Sequence, residues 1–60
     1  MTATQTNIKE EIREVLRQIE LTEKKISFTN EPKLIDALSF ELLGLRARVG
    51  YLIDLAKQCI

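Results

Sequence analysis

Apolar residues recur along this chain in two helical runs separated by one break. In the first, Ile8, Ile12, Val15, Ile19, Thr22 and Ile26 follow one another at alternating steps of four and three. A repeat averaging 3.5 residues keeps one stripe of an α-helix turned toward a partner, as in a coiled-coil seam. Thr22 is the polar member of that stripe, and Leu16 widens it. In the second run, Ile35, Leu38, Leu42, Leu45, Val49, Leu52, Ala56 and Cys59 step by three and four in the same way. The break between them is Ser27-Phe28-Thr29-Asn30-Glu31-Pro32. Proline fits a first helical turn because the N–H it lacks has no intrahelical partner there. The pattern predicts a disordered tail over 1–6 and a helical hairpin over 7–60, with helix one at about 7–28 and helix two at about 32–58. Asn7 suits the cap of helix one, with Glu10 three residues on to complete a capping box and Glu10 and Glu11 in the first turn. Asn30 and Glu31 both suit the cap of helix two. So short a connection forces the helices antiparallel, which makes the fold class all-α.

Helix two carries more apolar surface than a hairpin can cover. Leu34, Phe40, Leu43, Tyr51, Ile53 and Leu55 lie off its seam and spread around the circumference. Gly44, Ala47, Gly50 and Tyr51 share a face with Phe40 and Leu43, forming a strip of small residues with aromatics at its ends. A glycine inside a helix costs about 1 kcal/mol relative to alanine, so two of them near mid-helix point to the close approach of another helix. A core in a chain below about 70 residues rarely supplies more than 3–5 kcal/mol, and such chains often oligomerise. The expectation is a homodimer in which two hairpins form a four-helix bundle with helix two at its centre. Leu34, Phe40, Leu43, Gly44, Ala47, Gly50, Tyr51 and Leu55 are the predicted interaction surface, open to the second copy or to another protein. Arg46, Arg48 and Asp54 are placed at its rim.

Composition narrows the chemistry. Nine Lys/Arg balance nine Asp/Glu for a net charge of zero, which leaves no electrostatic footprint for nucleic acid or an anionic membrane. There is no His and one Cys among the 60 residues. Zinc sites, imidazole acid–base chemistry and an internal disulfide are therefore disfavoured, and no metal, cofactor or catalytic residue is predicted. The acidic pairs Glu10/Glu14 and Glu20/Glu23 are interleaved with Lys9, Arg13, Arg17 and Lys24 at helical spacing, the mark of a solvated, ion-paired face. Apolar runs stop at two residues where a membrane span needs about twenty, and the polar start Met1–Asn7 lacks the pattern of a signal peptide. A cytoplasmic location is expected. Cys59 reads as a small apolar residue of the last helical turn.

Glu31-Pro32-Lys33-Leu34-Ile35-Asp36, Phe40-Glu41 and Arg48-Val49-Gly50-Tyr51-Leu52-Ile53-Asp54-Leu55-Ala56-Lys57 together resemble the YaaL-like family of small proteins from spore-forming Firmicutes. Ile8, Glu11, Glu20 and Phe28 of helix one are compatible, so the resemblance covers about residues 8–58. The chain departs at Val49, where that family usually has an aromatic, and at Glu31, where it has Asp. The resemblance implies a cytoplasmic bacterial protein linked to sporulation or to neighbouring recombination genes, with no catalytic residue to carry over. Ser39-Phe40-Glu41-Leu42-Leu43 is also similar to the signature of the small sporulation phosphatases that act on aspartyl-phosphate. Their reactive Asp corresponds to Leu43, which leaves a regulator or degenerate phosphatase of response-regulator phosphoaspartate as the alternative function. Ile35-Asp36-Ala37-Leu38 with Leu42-Leu43 and Arg46 is similar to the first helix of chorismate mutases, whose further site-bearing helices this chain does not contain. The leading expectation is a non-enzymatic module for protein–protein interaction or regulation.

Overall fold

The computed structural model describes residues 2–58, with side chains from Asn7 onward. Two helices of equal length make up the fold: α1, Thr2–Phe28, and α2, Pro32–Gln58. They pack against each other along their length. The rod measures 46 × 14 × 10 Å with a radius of gyration of 14.0 Å. A compact body of this chain length would have a radius near 10 Å. Elongation has a direct consequence, because each helix has a single neighbour and leaves most of its circumference bare.

The buried seam is the one that the spacing predicts. Ile8, Val15 and Thr22 of α1 and Leu38 and Leu52 of α2 are buried. Ile12, Ile19 and Ile26 on one side and Ile35, Leu42, Leu45, Val49 and Ala56 on the other are half-buried. Residues four and three apart fall on one line of an α-helix, so a single strip of each helix closes on the other. Thr22, 2% exposed, is the buried polar side chain of this seam.

The helix ends show where local chemistry acts. The Ile35 N–H donates to the Glu31 carbonyl at 2.9 Å, the first i to i+4 bond of α2. Glu31 rather than Asn30 is therefore the cap position, and Pro32 opens the helix where its missing N–H costs nothing. The Thr29 hydroxyl accepts from the Glu31 N–H at 3.2 Å and holds the turn before it. At the end of α1 the Ser27 hydroxyl donates to the Glu23 carbonyl at 3.1 Å, and the Thr29 N–H reaches the Ile26 carbonyl at 3.5 Å. The second bond occupies a carbonyl that the helix end leaves free, while the Ser27 hydroxyl shares an acceptor already used inside the helix.

At the other end of α1 the structure corrects the sequence expectation. The helix starts at Thr2, so residues 2–6 continue it rather than forming a disordered tail. Asn7 lies inside α1 as an exposed residue, not at its cap, and the first turn holds no acidic residue. Ala3 and Gln5 are good helix formers, and no Gly or Pro interrupts this stretch, so the backbone ladder propagates past the predicted cap. Cys59, the predicted last member of the second seam, lies outside the described residues.

Candidate functional site

Relative to the seam at 100° per residue, the side of α2 turned directly away from α1 carries Phe40, Leu43, Gly44, Ala47, Gly50 and Tyr51. Phe40 is 74% exposed, Leu43 61% and Tyr51 64%. Between Asp36 and Asp54 this outer face holds no charged residue. It is a charge-free strip about five turns long, with an acidic residue at each end. A Cβ placed on Gly44 or Gly50 would meet nothing within 4 Å. Neither glycine is thus required by the contact between α1 and α2, and the space above both is open.

Six of the eight residues predicted as an interaction surface are brought together here. The other two are not. Leu34 precedes Leu38 by four residues and Leu52 by eighteen, which sets it in line with the seam, where it is partly exposed at the turn end of the rod. Leu55 follows Arg48 by seven residues and sits half-buried on that flank. Ile53 follows Arg46 by seven and lies on the opposite flank. The sequence shows these three as apolar residues outside the seam, but only the packing of α1 separates a flank from the outer face.

Arg46 and Arg48 also stand elsewhere than the rim expected for them. The Arg46 guanidinium donates to the Glu23 carboxylate at 3.0 Å, and that of Arg48 to the Glu11 carboxylate. Arginines two residues apart emerge on opposite flanks of α2 and reach over to α1 on either side of the seam. They bridge the two helices of the hairpin. Of the predicted rim, Asp54 alone lies on the outer face.

The back of α1 is different in kind. Arg13, Leu16, Arg17, Ile19, Glu20 and Glu23 line a shallow open groove that runs from the seam along one flank toward that side. Arg17 donates to both Glu14 oxygens, at 3.2 and 2.5 Å, and Gln18 adds a third bond at 3.1 Å. The Arg17 bonds, then the Gln18 bond, hold the Glu14 carboxyl below its usual range, while Glu14 raises Arg17. Charges paired along a helix in this way form a solvated surface rather than a reactive one. Leu21 and Phe28, seven residues apart on the same side of α1, are exposed; Phe28, at 86%, is more so than any other large apolar residue described. Neither Leu21 nor the outward aim of Phe28 follows from the seam pattern, which predicts only what is covered.

Among the described residues no three of His, Cys, Asp and Glu gather where they could hold a metal ion. No described helix is long and apolar enough to cross a membrane. The arrangement defines a class by shape: a two-helix hairpin with one face closed and an apolar face left open on its second helix. No protein-family model, curated protein or solved structure matches the chain.

Proposed function

We propose that this chain is a non-enzymatic protein–protein interaction or regulatory module that self-associates through the outer face of α2, joining two hairpins into a four-helix assembly. The observation that supports this reading is the exposure of Phe40, Leu43 and Tyr51 on a charge-free side of α2 turned away from α1. Exposed aromatic and aliphatic side chains around small residues are the composition of an interface core. Covering them removes apolar area from water and lets a second helix approach over Gly44, Ala47 and Gly50. The YaaL-like resemblance belongs to the same proposal, and with it a cytoplasmic setting in a spore-forming bacterium.

The test is mass in solution by light scattering after size exclusion, with reductant, over a hundredfold range of concentration. A dimer that sheds subunits on dilution is the expected result. Phe40→Lys and Tyr51→Lys are expected to give monomers of unchanged helix content. Gly44→Leu has the same expected effect, because its side chain meets only open space in the hairpin. A wild-type monomer at every concentration would remove self-association and leave the face to a different protein.

A further inference from the structure

We infer that this hairpin carries a lock against helix exchange, set by the phase of its two seams. The seams of α1 and α2 are out of step along the chain, so the molecule does not straighten into one long helix shared by two copies. The lock acts within each chain, whatever covers the outer face.

The hazard comes from the architecture. Each helix is 27 residues long, and only Thr29, Asn30 and Glu31 join them. A chain that straightened there would give its α2 to a second copy's α1 and rebuild the α1–α2 contact between copies. Such exchange is a low-cost route to a dimer and a known failure of hairpins with short hinges.

Pro32 is the first obstacle. Inside a continuous helix it would deprive the Phe28 carbonyl of its donor and press its ring against that group. At the first position of α2 it does neither. A helix can nevertheless run through a proline by kinking, so Pro32 alone is an incomplete lock.

The second obstacle lies in the repeat. The α1 seam steps by fours and threes from Ile8 to Ile26. Continued at the same steps beyond Thr29, it runs through Lys33, Asp36, Phe40, Leu43, Ala47 and Gly50. Of these, Phe40, Leu43, Ala47 and Gly50 belong to the outer face of α2, whereas its seam runs through Ile35, Leu38, Leu42 and Leu45. A straight helix holds both halves to one repeat, which turns the two seams to different sides. With the α1 stripe inward, Lys33 and Asp36 enter an apolar contact and the α2 seam is left in water. With the α2 stripe inward, the stripe from Ile8 to Ile26 is left in water instead. Exchange through a continuous helix therefore uncovers one whole seam, while the break at Thr29–Glu31 lets the two face each other.

Double electron–electron resonance tests the lock, with nitroxides on Lys9→Cys and Lys57→Cys in a Cys59→Ser background of the full chain. Both positions are exposed. Dilution with unlabelled protein restricts the reading to distances within one chain. The closed hairpin holds the two labels about 20 Å apart, on neighbouring helices. A straightened chain separates them by about 70 Å at 1.5 Å per residue. The wild-type chain and Pro32→Ala are both expected to keep the short distance at every concentration. A distance near 70 Å in Pro32→Ala would overturn the phase lock and leave the proline as the whole of it. A second variant removes the phase break: Pro32→Ala with Ala-Glu-Ala-Ala-Lys inserted after Asn30. Five added residues bring Ile35, Leu38 and Leu42 onto the continued α1 repeat. The expected result is loss of the short distance in samples whose mass is that of a dimer. A short distance that persists in that dimer would show that phase is not what keeps the hairpin closed.

Discussion

Glu14 and Gly44 show how differently single residues can be tested in so thin a molecule. Glu14 is exposed, yet its carboxyl titrates below the usual range because Arg17 and then Gln18 donate to it. A depressed folded-state pKa contributes stability above the unfolded-state value, and that contribution is lost as pH falls through the folded one. Arg17→Gln is therefore expected to return Glu14 toward ordinary carboxylate behaviour in an NMR titration, with little change in melting temperature because the pair is solvated. Gly44 separates two demands on α2. Alanine there meets no atom of the hairpin and improves helix propensity by about 1 kcal/mol. Gly44→Ala is expected to raise the melting temperature of dilute protein, which differential scanning calorimetry checks.

For α1 and α2 the seam dominates. Each depends on the other, since most helical stability in a protein comes from tertiary packing of an apolar stripe rather than from intrinsic propensity. Leu38 is buried in that contact, about two turns into α2. Leu38→Ala is expected to cost about 2–5 kcal/mol, as large as the whole stability of a domain this size, so the circular dichroism of the dilute variant should be largely that of an unfolded chain. The bridges Arg46–Glu23 and Arg48–Glu11 belong to a smaller order of effect. Both are half exposed, and a double-mutant cycle on either should return a coupling below about 1 kcal/mol. Their role is alignment: one bridge on each flank resists rotation of α2 about its own axis, which keeps Phe40 and Tyr51 facing outward.

As a whole molecule the hairpin is a rod that buries one stripe and offers another. Its 14.0 Å radius of gyration reflects a single contact layer, so a large share of its apolar side chains has no cover within the chain. Doubling the rod along α2 is expected to raise thermal stability with concentration, since mass action favours the state that buries Phe40, Leu43 and Tyr51. Melting curves at micromolar and millimolar protein check this directly. Coincident curves would mean that the outer face contributes nothing to folding.

The alternation of threes and fours from Ile8 to Ile26 and from Ile35 to Ala56 was enough to determine two helices, their seam and the antiparallel turn at Pro32. Those features depend on helical period and on a proline's missing donor, both local properties of the chain. The start of α1 was not legible, because Asn7 satisfies the chemistry of a cap and three threonines precede it, while no Gly or Pro in residues 2–6 forbids the helix. Nor were the roles of the apolar residues outside the seam. Periodicity lists Leu34, Phe40, Leu43, Tyr51 and Leu55 alike, but the position of α1 leaves Phe40, Leu43 and Tyr51 open on the far side and sets Leu34 and Leu55 on the seam line and a flank. The same contact drew Arg46 and Arg48 inward to Glu23 and Glu11, pairings twenty-three and thirty-seven residues apart that no local spacing encodes. What a helix covers can be read from its own repeat; what it leaves uncovered is decided by where its neighbour stops.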